Sequence, residues 1–127
     1  MSRVKVLIVD DDVRLSMVMK AGLESTGPYE VRVENNPRHA RSVALEFRPD
    51  ILILDVIMPE KDGGVVASEI RADPNLKDTP VIFVTSIVGK EEARAMGGHT
   101  GADPVLAKPI TLADLTRQIQ ESLGMKR

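Results

Sequence analysis

Three short apolar runs, residues 4–9 (VKVLIV), 51–54 (ILIL) and 81–84 (VIFV), constrain the fold of this chain more than any other feature. They are rich in β-branched residues and largely lack the polar alternation of a half-exposed strand, so they read as strands buried on both faces. Each one stops at a polar residue, Asp10, Asp55 and Thr85 respectively. Parallel central strands covered by helices on both sides suit such runs.

Helical patterns fill the intervals. Leu15, Val18, Met19 and Leu23 recur at i, i+3, i+4 and i+8, which marks one apolar helix face, and Gly27-Pro28 ends that helix. Asn36-Pro37 offers a cap and a proline at the first helical position for a second helix through Val43 and Phe47, which must end before Pro49. Residues 30–33 form a weak strand ahead of it. A third helix carrying Val65 and Ile70 follows Asp62-Gly63-Gly64, and residues 91–96 make a brief fourth that Gly97-Gly98 cuts short. Thr111 with Asp114 resembles a capping box with Asp in place of Glu. It opens a last helix bearing Leu112, Leu115, Ile119 and Leu123, and residues 104–107 are the remaining strand. Five βα units with short connections make an α/β domain: a parallel sheet, right-handed crossovers and five helices on both faces.

Composition supports one domain over residues 1–127. A chain of 127 residues, 43% of them hydrophobic, can bury a core without cross-links, and its lack of cysteine excludes disulfides and thiolate metal sites. The two histidines, His39 and His99, cannot build a His-rich metal site and are read as surface residues, so any metal is held by oxygens. The net charge of −2, from 17 Lys and Arg against 19 Asp and Glu, comes without a basic run, which argues against nucleic acid as a partner. No apolar stretch approaches the roughly 18 residues of a membrane span, and the start MSRVKVLIVDDD turns acidic too early for a signal peptide. The expectation is a cytoplasmic protein with no output domain after the last helix. Met17 and Met19 read as helix packing.

In a doubly wound sheet, ligands bind beyond the carboxyl ends of the strands. The residues there are Asp10-Asp11-Asp12, Asp55, Thr85-Ser86 and Lys108. Asp12 suits a helix cap, whereas clustered carboxylates repel by roughly 4 kcal/mol per pair at about 4 Å and an effective dielectric near 20. Such a cluster needs a counterion. Carboxylates, a carbonyl and waters describe a magnesium site, and a lysine and a threonine hydroxyl suit the oxygens of a phosphoryl group.

The motifs VLIVDDD, ILILDVIMPEKDG, VIFVTS and the closing GAD...KPI, in this order over residues 4–123, resemble the response regulator receiver domain. The resemblance implies a flavodoxin-like sheet of order 2-1-3-4-5. It implies that Asp55 accepts a phosphoryl group from a phosphohistidine on a sensor histidine kinase or histidine phosphotransfer protein. Asp11 would be a direct Mg2+ ligand, Asp10 either a ligand through water or a positioning carboxylate, and the carbonyl of Ile57 a further ligand. Thr85 would hydrogen-bond the phosphoryl group, Lys108 would pair with it, and Pro109 matches a proline often preceded by a cis bond. Met58-Pro59 and Asp62-Gly63 match the loop after the acceptor. Such a domain is a self-resetting phosphoacceptor, not a turnover enzyme, and signals to a downstream protein through its fourth helix, fifth strand and fifth helix.

The chain departs from the family where Val105 replaces an aromatic three residues before the lysine, so coupling through an aromatic rotamer is lost. Pro104 and the glycines around His99 imply that output instead reorders residues 87–101. Ile57 and Ile87 replace polar residues that in relatives guide the attacking water, which implies slow loss of phosphate. A pseudo-receiver that binds partners without phosphorylation is the rival reading; a flavin-binding enzyme and a magnesium phosphohydrolase fit less well, because the acidic loop would repel a flavin phosphate and no cap domain is present.

Overall fold

A computed structural model of the chain describes residues 3–86 and 103–124. The strands are β1 (Val4–Val9), β2 (Tyr29–Glu34), β3 (Ile51–Asp55), β4 (Val81–Thr85) and β5 (Val105–Ala107), all parallel, in the order β2-β1-β3-β4-β5. The described α-helices are α1 (Val13–Thr26), α2 (Ala40–Phe47), α3 (Gly63–Ala72) and α4 (Leu112–Ser122). This is the doubly wound, flavodoxin-like sheet that the motifs implied. The helix expected at residues 91–96 lies outside the described residues, as do Ile87 and His99.

Period-two alternation splits the core in two. Leu7, Val9, Leu52, Leu54, Val81 and Phe83 pack with Ala44 and Phe47 of α2 and Val66 and Ile70 of α3. Their neighbours Val6, Ile8, Ile51, Ile53, Ile82 and Val84 pack on the other face with Met19 and Leu23 of α1 and Leu115 and Ile119 of α4. Residues 51–54 and 81–84 therefore bury every side chain, and no polar position interrupts them.

The helix boundaries follow local chemistry. Asp12, Asp62 and Thr111 each cap a helix, accepting from the backbone N–H of Leu15 (3.0 Å), Val65 (2.9 Å) and Asp114 (3.0 Å). The reciprocal half of a capping box is not formed at α4, where the short Asp114 side chain pairs with Arg117 instead. At Asn36-Pro37 the expected helix begins as a single 3-10 turn, Pro37–His39, before α2. Asn36 Oδ1 accepts from Arg38 N at 3.0 Å, and this closure over two residues tightens the first turn. Chain reversal after α2 puts Arg48 at φ 56° ahead of Pro49.

One expected face differs. Leu15, Met19 and Leu23 of α1 turn toward the sheet or α4, but Val18 is 68% exposed and the buried Ser16 takes its place beside them. At 100° per residue, positions 16, 19 and 23 centre the buried face, and position 18 falls about 130° away from it. Met17 is also exposed, at 51%, so only Met19 of that pair packs in the core. His39 sits at the surface as expected. Among the described residues no helix is long and apolar enough to cross a membrane.

These burial differences set a test. Leu23→Ala should destabilise the domain by roughly 2–5 kcal/mol, whereas Val18→Ala should shift it by no more than about 0.5 kcal/mol. Denaturant unfolding of the two variants checks this, and comparable losses would return Val18 to the packed face.

Candidate acidic site at the carboxyl edge of the sheet

Strand alternation delivers the site. Val6, Ile8 and then Asp10 continue one series; Ile51, Ile53 and Asp55 another; Leu106 and Lys108 a third. All three series belong to the face covered by α1 and α4. Because β1 and β3 are adjacent and β5 lies two strands away across β4, these three side chains come together at one rim. Lys108 Nζ lies 3.1 Å from Asp10 Oδ2 and 3.7 Å from Asp55 Oδ2. Asp10, Asp11 and Asp55 each offer a carboxylate oxygen within 4.8 Å of the others, Asp10 and Asp55 from buried positions and Asp11 from an exposed one.

Thr85 ends β4 one residue beyond Val84, which pairs in register with Asp55, and it is fully buried. Its carbonyl accepts from Lys108 N at 2.8 Å, which fixes the loop that carries the lysine. The Lys108-Pro109 peptide is cis. Ile57 follows Asp55 by two residues and leaves its side chain 51% exposed. The side chains of Asp10, Asp11, Asp55 and Lys108 thus converge, Thr85 lies beside them at the end of the neighbouring strand, and Asp12 caps α1 as expected.

The electrostatics of this rim are unbalanced. Burial above all, and then the charge of Asp10, push the Asp55 carboxyl up to about 7; Asp11 adds to the shift, and Lys108 opposes it. Asp55 Oδ1 and Asp10 Oδ2 are buried without a hydrogen-bond partner among the described residues. Asp10 Oδ2 does have the Lys108 ammonium at 3.1 Å, but as a charge contact without hydrogen-bond alignment. Three carboxylates with oxygens within 4.8 Å of one another, two of them carrying a buried oxygen without a hydrogen-bond partner among the described residues, are hard donors that fit a divalent cation such as magnesium.

Several residues that the strand-end reading passed over hold the acidic loop in place. Asn35 Nδ2 donates to Asp10 O at 2.8 Å and to Ser16 Oγ at 3.2 Å, and Ser16 Oγ donates to Asp12 O at 2.7 Å. Asp12 N donates to Asp10 Oδ1 at 2.9 Å. The one signal in the sequence was a serine on an otherwise apolar helix face. Gly63 is also required by space: a Cβ there would meet Asp55 O at 2.4 Å and Val56 Cα at 2.9 Å, so α3 approaches the end of β3 backbone to backbone.

Comparison with known proteins places this geometry. Residues 6–120 match the family model of the response regulator receiver domain. The chain belongs to that family. The receiver domain is 37% identical over 119 residues to the transcriptional regulatory protein PrrA of Mycobacterium tuberculosis, covering 94% of this chain and 49% of PrrA. It is 29% identical to the DNA-binding dual master transcriptional regulator RpaA of Synechocystis, again over 94% of this chain and 48% of that protein. The chain therefore spans about half the length of the curated relatives it matches. Among solved structures it resembles chemotaxis protein CheY4 of Vibrio cholerae, with TM-score 0.85 and 30% identity over 96% of this chain and 100% of that one. A putative response regulator from Chloroflexus aurantiacus gives 0.86 and 31%, over 97% and 99%.

A pH dependence follows from the raised Asp55. Below about pH 4 the carboxyl is protonated in folded and unfolded chains alike and costs nothing. Between about 4 and 7 only the unfolded chain loses its proton, so stability falls as pH rises, and above about 7 the loss is complete. In metal-free buffer Asp55→Asn should therefore stabilise the receiver domain by an amount on the order of 3 kcal/mol at pH 8 and by almost nothing at pH 3.5. Thermal unfolding of both proteins across this range measures it, and a gain that does not change with pH would contradict the assignment.

Proposed function

We propose that this receiver domain is a phosphoacceptor of two-component signalling, in which Asp55 takes the phosphoryl group of a phosphohistidine on a sensor histidine kinase or a histidine phosphotransfer protein. Residues 1–127 act as one such domain. The observation that carries the reading is a buried acceptor carboxylate with two further carboxylates within 4.8 Å and a lysine ammonium 3.7 Å away. Family membership supports it, as does the apolar rim of Val13, Ile57 and Val65, each about half exposed in or beside the loops of the site, where a partner protein can seat.

Asp10, Asp11 and Asp55 through their carboxylates, and Ile57 through its main-chain carbonyl, would hold Mg2+. When bound, the ion offsets the charge of the three carboxylates and of the phosphoryl oxygens. Asp55 supplies the attacking oxygen in line with the departing imidazole nitrogen; the P–N bond breaks as the P–O bond forms, and the imidazole keeps the electron pair. Lys108, which in the resting site divides its ammonium between Asp10 and Asp55, pairs with the phosphoryl oxygens as the acceptor's own charge is taken up in the new bond. Thr85 donates its hydroxyl to the same group. Water later attacks phosphorus, the acyl phosphate bond breaks, inorganic phosphate leaves and Asp55 is restored. The domain so resets itself without turning over a separate substrate.

Output passes to a downstream protein at β5 and α4, together with the helix expected at residues 91–96, which lies outside the described residues. Val105 lies in register with Phe83 and packs against the core on that face, so this switch works without an aromatic side chain turning inward. This reading places the receiver domain in the cytoplasm and makes other proteins, not nucleic acid or membrane, the partners of the domain itself.

Treatment with acetyl phosphate and magnesium should raise the intact mass by one phosphoryl group, and Asp55→Ala should abolish the gain. An unmodified wild-type chain would leave binding without phosphorylation as the better account.

The exposed Ile57 side chain has no group to orient the attacking water. Replacing it with Glu or Asn should therefore shorten the half-life of the acyl phosphate by about tenfold, worth roughly 1.4 kcal/mol of barrier. Loss of labelled phosphate with time checks this, and an unchanged half-life would remove Ile57 from control of the reset.

A further inference from the structure

β2 is an edge of the sheet, and half of its backbone groups face away from β1 with no strand beside them among the described residues. Val4 N donates to Pro28 O at 2.7 Å and Asp10 N to Glu34 O at 3.3 Å, so even-numbered positions face β1 and Tyr29, Val31 and Val33 face the open edge. At the middle of that edge both groups of Val31 are occupied by side chains from α1. Val31 N donates to Glu24 Oε2 at 3.0 Å, and Lys20 Nζ donates to Val31 O at 3.0 Å. Lys20 and Glu24 also pair with each other at 3.1 Å. The Val31 N–H first, and Lys20 second, hold the Glu24 carboxyl below its usual range. Two charged side chains one helical turn apart thus stand where a neighbouring strand would stand.

The strand behind them is self-complementary. Residues 29–34 read YEVRVE, and a second β2 laid antiparallel about Val31 pairs Tyr29 with Val33 and Glu30 with Arg32, each twice by symmetry. Apolar meets apolar and acid meets base at every position from 29 to 33. A groove of about 490 Å³ runs along this edge, lined by Met17, Lys20 and Glu24 on one side and Phe47 on the other. Arg32 lies over the Phe47 ring at 5.1 Å and is paired with Glu46 through exposed side chains, 43% and 73% accessible, so its guanidinium can turn from Glu46 to the Glu30 of a second copy.

We propose that the Lys20–Glu24 pair is a latch over the open edge of the sheet: it occupies the backbone of Val31 and prevents a second copy of this chain from adding its own β2 there. With the latch removed, each Val31 has a free N–H and C=O, and the facing Val31 of the second copy satisfies both. This is edge protection by charged side chains, made specific because the same pair supplies both the donor and the acceptor.

The test compares self-association of the 127-residue chain by sedimentation. Lys20→Ala/Glu24→Ala should associate at least about tenfold more tightly than wild type. Adding Arg32→Glu, which sets acid against acid, should reverse this, and adding Glu30→Arg to that variant should restore it with the signs exchanged. A double variant no more associated than wild type, or association indifferent to Arg32→Glu, overturns the proposal. Because the latch also ties α1 to β2, amide exchange at Val31 is measured in wild type and Glu24→Gln at dilutions where both are monomeric. Exchange at least about tenfold slower in wild type supports the latch, and equal exchange overturns it.

Discussion

The structure depends on a charge imbalance at one rim. Three carboxylates, two of them buried, face a single lysine ammonium, and Lys108 lies 3.1 Å from one and 3.7 Å from another without matching both. A fold selected for stability alone would place apolar residues here, since removing one partner of a buried ion pair is costly and an apolar replacement often is not. Burial first, and the charge of Asp10 second, push the Asp55 carboxyl up, so holding it ionised at this rim costs the domain stability. A divalent cation and a phosphoryl group change the charge at this point in opposite senses. On the proposed function, a site already unbalanced would respond strongly to both.

The rest of the fold exists to keep that imbalance from relaxing. Strands buried on both faces cannot slip by one residue without turning an entire apolar set to the wrong layer, so the parity that aims Asp10, Asp55 and Lys108 at one point is fixed by two cores at once. Local bonds then immobilise the loops. Asn35 and Ser16 hold the backbone at Asp10, the Thr85 carbonyl holds Lys108, and Gly63 lets α3 rest directly on the carbonyl of Asp55. None of these groups neutralises the carboxylates. They deny them the freedom to move apart.

The sequence made the acidic residues legible because burial on both faces leaves only strand ends for polar side chains, and the polar ends of the strong strands belong to the site. Strand order was not legible from periodicity, since parallel runs of equal length carry no label for their neighbours; it came with the receiver resemblance. The supporting shell was hidden for a different reason. Asn35 follows a weak edge strand, and Ser16 looks like an ordinary helix residue until the chain is folded and its hydroxyl meets the Asp12 carbonyl. Val18 shows the converse limit: an i, i+3, i+4 count admits residues more than a third of a turn from the true buried centre, and that margin is the difference between core and solvent.

Helix α1 joins the two ends of this argument. Its first turn begins at Asp12, whose main-chain N–H donates to Asp10 Oδ1, so the acidic loop and the helix start are one hydrogen-bonded unit. Two to three turns later Lys20 and Glu24 engage β2, so the same helix closes the free edge of the sheet. Between them Met19 and Leu23 pack on the layer beneath Asp10 and Asp55. A rotation of α1 that loosened the edge would also pull on Asp12 and, through it, on Asp10. The helix is therefore fixed in register against the sheet, bonded at both ends and packed in the middle, whereas a helix held by its apolar stripe alone could slide.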